Sequence, residues 1–192
     1  MAILIKSCVV VVLGTLLGLA LTFFTLEHGF GFGAVRAGPW TGWPKTGSAD
    51  IDPYARALLS RTGAIPLGTG EGISFLARTD SDGAPLNPRC EYTLKGPMPP
   101  ARFWTLSVFS PNGALIENAA KRYGFTSAEI LRASDAPPEI ILASTAHPGN
   151  WLPTSPTSPY VVVLRLYDSV LSATAASLDS SVMPKLVKGF CR

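Results

Sequence analysis

Hydrophobic and polar positions along this chain fall into three regimes: an unbroken apolar run, a stretch with no period, and a long series of two-residue alternations. From Ser7 to Leu26, 20 consecutive residues carry no charge. A helix of about 20 residues spans roughly 30 Å, the thickness of a bilayer's hydrocarbon core, so the run predicts a helix crossing the inner membrane through residues 7–26. Residues 29–49 are rich in Gly, Pro and Trp with no sustained period, which reads as a linker. Asp52-Pro53 then presents a helix N-cap followed by proline at the first helical position, where its missing N–H costs nothing. Good helix formers run from Tyr54 to Arg61, and Gly63 is placed to end a short helix.

Beyond Gly72 the period is two. Ile73 to Thr79 reads as a strand closed by the turn residues Asp80-Ser81-Asp82-Gly83. In Cys90 to Lys95, Cys90, Tyr92 and Leu94 alternate with Glu91, Thr93 and Lys95, so one face points to a core and the other to water. Phe103 to Phe109 places Trp104, Leu106 and Val108 on one face, and Ser110-Pro111-Asn112-Gly113 turns the chain into an expected hairpin partner, Ala114 to Glu117. Thr126 to Glu129 has capping-box spacing for one helical turn. Glu139 to Ser144 and the β-branched Tyr160 to Tyr167 are two further strands, separated by a proline-rich loop, His147 to Pro159. Strands joined by short turns, with no room for crossover helices, predict a mainly β fold: an antiparallel sandwich or jelly-roll-like domain with one short N-terminal helix.

These elements divide the chain into a cytoplasmic tip and anchor (1–28), a linker (29–49) and a β-sandwich domain (50–192). Lys6 precedes the apolar run while Glu27 and His28 follow it. That bias keeps the N-terminus in the cytoplasm and sends the domain to the periplasm. A cleaved signal peptide is the competing reading, since Val35-Arg36-Ala37 resembles a small-residue cleavage site, but signal cores usually hold only about 7–15 apolar residues. Either reading exports the domain. Phe30, Phe32, Trp40 and Trp43 lie just past the run, either at the headgroup level or packed on the domain. Cys8 lies inside the run, which leaves Cys90 and Cys191 as the pair for a disulfide in an oxidising compartment.

Composition narrows the function classes. Only 15% of residues are charged, and Gly and Pro number 18 and 17, a balance suited to short strands and turns. From residue 38 onward 14 basic residues face 12 acidic ones. Such balance excludes a nucleic-acid footprint.

Gly38-Pro39-Trp40-Thr41-Gly42-Trp43-Pro44, Asp52 to Ala57, Gly149-Asn150-Trp151-Leu152-Pro153 and Leu164-Arg165-Leu166-Tyr167-Asp168 together resemble the bacterial domain of unknown function 1214 family. The resemblance runs from about Gly38 to Cys191, with Pro100 to Leu106 and Asn118 to Tyr123 looking like the family's central hairpin. It implies a sandwich-like fold. The ending Met183 to Cys191 looks like the family's short membrane-anchored form, which implies the Cys90–Cys191 bond as well. The family carries no established activity, so the resemblance implies no reaction.

A nucleophilic triad would draw on His147, the domain's single histidine, with Ser144 or Ser155, but no Gly-x-Ser-x-Gly elbow accompanies them. One histidine and two bonded cysteines do not supply a zinc ligand set, and nothing calls for a cofactor. Asp50, Asp52, Asp80 and Asp82 sit at cap and turn positions. The better constellation is a binding one: Asn150, Trp151, Arg165 and Tyr167 with Arg122 and Tyr123, beside Lys121. Arg165 and Tyr167 share a strand face, and an arginine among valines calls for an anionic or carbonyl partner. The competing reading is structural, with Asn150 capping a turn, Trp151 filling the core edge and Arg165 satisfied by carbonyls or a carboxylate. The expected function is therefore a non-enzymatic envelope module for a small anionic ligand or an envelope protein. The alternative is a hydrolase or lyase on an envelope carbohydrate or other small substrate.

Overall fold

The computed structural model describes residues 2–28, 33–63, 65–132, 137–171 and 179–192. The apolar run becomes helix α1 (Ala2–His28), long and apolar enough to cross a membrane and with no part of its span buried in the protein. Helix α2 (Pro53–Thr62) has the ends its sequence predicts. The Asp52 carboxylate accepts hydrogen bonds from the backbone N–H of Tyr54 and of Ala55, both at 3.2 Å, and Gly63 closes the helix with φ 63°.

The alternating segments form two sheets. The first has the order β1 (Val35–Ala37), β2 (Trp40–Gly42), β3 (Gly72–Ala77), β9 (Val161–Tyr167), β5 (Phe103–Phe109) and β6 (Gly124–Thr126). The second has the order β10 (Lys185–Cys191), β4 (Cys90–Lys95), β7 (Ile140–Ala143) and β8 (Trp151–Pro153). Neighbouring strands run antiparallel except β7 and β8, which are parallel. Phe75, Leu106, Leu164 and Leu166 of the first sheet and Tyr92, Leu94, Ile140, Leu142, Leu152 and Leu186 of the second share one core, each almost wholly excluded from solvent. The fold is thus a mainly β, two-sheet sandwich.

The edges of the two layers are tied by specific bonds. The Trp40 side chain is fully buried, and its indole N–H donates to the Pro184 carbonyl at 2.7 Å, linking the β2 edge to the start of β10. Ser81, in the turn after β3, donates its N–H to the Leu186 carbonyl at 2.9 Å and accepts the Leu186 N–H on its hydroxyl at 2.8 Å. Cys90 and Cys191 are bonded across the β4–β10 pair, 101 residues apart in sequence.

Several expectations are corrected here. Part of the stretch read as linker, residues 35–42, is the β1–β2 hairpin on the edge of the first sheet, and it is too short to show a period. Trp40 therefore packs on the domain, while Phe30 and Phe32 lie outside the described residues. Ala114 to Glu117 forms no strand, only an isolated bridge between Phe109 and Leu115, because both edges of β5 are occupied by β9 and β6. The capping box at Thr126 is half made: the Thr126 N–H reaches the Glu129 carboxylate at 3.1 Å, yet the segment is a turn and not a helix. The proline-rich loop 147–159 contains β8, which pairs in parallel with β7.

Candidate functional site

Residues of the first sheet that do not enter the core face outward, and on β3 and β9 this outer face is not simply wet. Ser74, Leu76, Val163, Arg165 and Tyr167 are half-buried there, and Phe109 of β5 joins them. The register places Arg165 between Ser74 on β3 and Thr105 on β5, two short side chains that leave room for a long one. Its guanidinium carbon lies 5.4 Å from the centre of the Phe109 ring, a cation–π distance. Tyr167 sits between Gly72 and Phe103, its ring 5.7 Å from that of Phe103.

The outer face is the floor of a groove of about 520 Å³. Ala55 and Leu59 of α2 line it from above, together with Trp43, Thr46 and Gly47 after β2 and Ile65, Pro66 and Leu67 after α2. The two flanking segments touch at Gly47, where a Cβ atom would stand 1.9 Å from the Leu67 carbonyl oxygen. Glycine at that position lets the wall close.

The groove is apolar and rich in donors. Among the described residues its lining includes Arg78 and Arg165 but no Asp or Glu. Arg78 is already engaged by another group. Arg165 makes its ring contact with Phe109, and no hydrogen bond or ion pair to it arises among the described residues. The Trp43 indole N–H is buried and has no acceptor among the described residues. A half-buried guanidinium without a hydrogen bond or ion pair among the described residues leaves its donors to water or to a ligand.

The other candidates lie elsewhere. Asn150 is buried and clamps three backbone groups: its Oδ1 accepts the Leu131 N–H at 2.8 Å, and its Nδ2 donates to the carbonyls of Leu131 at 2.9 Å and Glu139 at 3.0 Å. The Trp151 indole N–H donates to the Ala143 carbonyl at 2.9 Å, spanning the short β7–β8 connection. Arg122 donates to the Trp151 carbonyl at 3.2 Å and covers the Phe125 ring at 5.1 Å, and Tyr123 next to it is half-buried. Asn150, Trp151 and Arg122 gather around β8, and neither they nor Tyr123 line the groove that holds Arg165 and Tyr167. The sequence-level constellation is two sets of residues.

His147 also stands apart from the groove. Its Nε2 lies 3.2 Å from Glu91 Oε1, with both side chains about a quarter exposed. The Thr145 hydroxyl donates to the same carboxylate oxygen at 3.3 Å. Ser144 is exposed, Ser155 bonds only the nearby Thr157, and Asp80 holds its own turn through the N–H groups of Asp82 and Ala84. Sequence reasoning missed Trp43, Leu59, Ser74 and Phe109 as groove residues. The available signal was Leu76 and Val163 on a strand face that ought to be polar if it met water.

A family model described as "Protein of unknown function (DUF1214)" matches residues 71–170, from β3 through β9. The match covers the groove floor and stops short of the walls formed by residues 43–67. No curated protein sequence gives a significant match. The VPA0106 protein from Vibrio parahaemolyticus has a similar structure, with a TM-score of 0.56 at 20% identity over 73% of this chain. This chain spans only 36% of that protein. An uncharacterized protein from Burkholderia cenocepacia aligns over 75% of this chain and 44% of its own, at 17% identity and a TM-score of 0.41. The Vibrio likeness bears on fold alone.

Proposed function

This chain belongs to the DUF1214 family, and from that premise, which supplies a fold and no reaction, we propose that it is a membrane-anchored envelope protein whose β domain binds a small anionic ligand. The observation that carries the reading is Arg165, a cation without a hydrogen-bonding partner among the described residues, on the floor of an apolar groove whose described lining contains no carboxylate. Binding there satisfies the guanidinium without breaking a hydrogen bond or ion pair among the described residues. A retained anchor fits the position of Val35-Arg36-Ala37, the best cleavage-like site, inside strand β1 with Ala37 buried. Cleavage there would remove an edge strand. The Cys90–Cys191 bond fits an oxidising compartment.

Native mass spectrometry of the full-length chain, released from membranes in lipid nanodiscs, tests the ligand. The expected result is a retained extra mass that Arg165→Gln removes. A C-terminal reporter enzyme active only outside the cytoplasm tests the orientation, and activity only when the reporter is placed at the N-terminus would reverse it. The second reading, a hydrolase or lyase, draws on the His147–Glu91 pair, whose 3.2 Å geometry suits acid–base work. Turnover of an envelope carbohydrate that is abolished by His147→Ala and unaffected by Arg165→Gln would replace the binding module with that enzyme.

A further inference from the structure

We infer that the ligand of the outer-face groove is a single-chain fatty carboxylate, its head on Arg165 and its chain along the apolar floor. This deepens the binding-module reading and rests on it. A single guanidinium without a hydrogen bond or ion pair among the described residues matches a monoanion, while Arg78 already has an interaction of its own and the described lining holds no acidic residue that would repel the ligand. A planar carboxylate also suits the fork of an arginine, which can hold both its oxygens.

The remaining surface specifies the body of the ligand. Leu59, Ile65, Leu76, Val163 and Phe109 give the groove a mostly apolar lining, with hydroxyls from Thr46, Ser74, Ser110 and Tyr167 among them. A sugar or amino acid would strand its polar groups on such walls, whereas a hydrocarbon chain buries only methylenes. A volume of about 520 Å³ lies within the usual range for sites that enclose a small molecule, roughly 300–1,000 Å³. Location points the same way. Helix α2, which lines the groove, also contacts the apolar helix α1, so the site opens close to the segment proposed to enter the bilayer, where fatty carboxylates concentrate.

Trp43 supplies the readout, because it lines the groove while Trp40 and Trp104 are buried in the core and Trp151 is outside it. The full-length chain in phosphatidylcholine nanodiscs is titrated with terminally brominated octanoate, decanoate and dodecanoate, whose bromine quenches an indole it touches. Empty nanodiscs correct for partitioning. Saturable quenching is expected, absent in Trp43→Phe, with affinity rising by up to roughly fourfold per added methylene. Arg165→Gln is expected to weaken binding at least about tenfold, as loss of a charge-assisted pair does, and Ser74→Phe to block it with Arg165 still present. A melting curve matching the wild type confirms that each variant is folded.

The inference is overturned if affinity is flat along the chain-length series, if a brominated alkyl trimethylammonium binds as well, or if a phosphate-headed chain binds more tightly than the carboxylate. In those cases a retained mass lost in Arg165→Gln still upholds an anionic ligand in the groove. If no anion of any length binds and Arg165→Gln changes nothing, the groove reading falls with it.

Discussion

Replacing Asn150 by Asp keeps the side chain's shape and reverses one end of its hydrogen bonding. The wild-type amide nitrogen donates to the carbonyls of Leu131 and Glu139 at 2.9 and 3.0 Å, and its oxygen accepts the Leu131 N–H at 2.8 Å. Aspartate preserves the last bond and turns the donor into an acceptor facing two carbonyl oxygens. Two lost bonds cost about 1 kcal/mol each, and a largely buried carboxylate against carbonyls adds a similar penalty, so destabilisation of about 3–4 kcal/mol is expected at neutral pH. At about 2–4 °C per kcal/mol for a chain of this size, the melting temperature falls by roughly 6–16 °C.

The pH dependence has a defined sign. Burial and the facing carbonyls raise the folded-state pKa of the new carboxyl above the unfolded value of about 3.9. The variant is therefore closest to wild type below about pH 4, where the neutral acid donates to one carbonyl, and loses stability as pH rises through the folded value. Urea denaturation of the full-length protein in nanodiscs, from about pH 3 to 8, reads both effects. A variant within about 0.5 kcal/mol of wild type, or a difference independent of pH, refutes the clamp. Lost ligand binding at unchanged stability would place Asn150 in a site instead.

Three further outcomes follow from the structure. Reducing the Cys90–Cys191 bond, or substituting Cys191→Ser, is expected to lower stability by roughly 4–5 kcal/mol in the chain-entropy account of a loop this long; intact-mass comparison with and without reductant checks the bond, and equal urea midpoints refute its contribution. The buried Tyr160 hydroxyl has no partner among the described residues, so Tyr160→Phe should be neutral or stabilising by up to about 1 kcal/mol, whereas a loss above about 1 kcal/mol in the same melts reveals a partner. Burial raises the Tyr160 pKa above its usual 10, so the folded state keeps the phenol neutral and loses stability once unfolded tyrosines ionise above about pH 10; the Phe variant should show a shallower alkaline loss. Trp40→Phe removes the donation to Pro184 along with part of a fully buried ring, and about 2–4 kcal/mol of destabilisation is expected by chemical denaturation.

Local pattern was enough for elements whose signal lies within a few neighbouring residues. Cys90–Lys95 and Phe103–Phe109 have the ends that their alternation predicts, and α2 begins and ends where Asp52, Pro53 and Gly63 require. The apolar run dictates α1, and counting cysteines was enough to pair Cys90 with Cys191. Each of these rests on period, capping or elimination, which need no knowledge of a distant partner.

Tertiary structure decided everything that depends on which segments meet. The three-residue strands β1, β2, β6 and β8 are too short to have a period; β2, β6 and β8 exist because a longer neighbour offers an open edge, and β1 because the chain turns back along β2. The sequence grouped Arg165 and Tyr167 with Asn150, Trp151, Arg122 and Tyr123, since all bear groups able to bind a ligand. Packing separates them, because β9 lies in the first sheet with its outer face under α2, while β8 lies in the second with its polar groups tied to backbone. Strand alternation decides that Arg165 points away from the core, but only the return of residues 43–67 over that face makes its surroundings a groove.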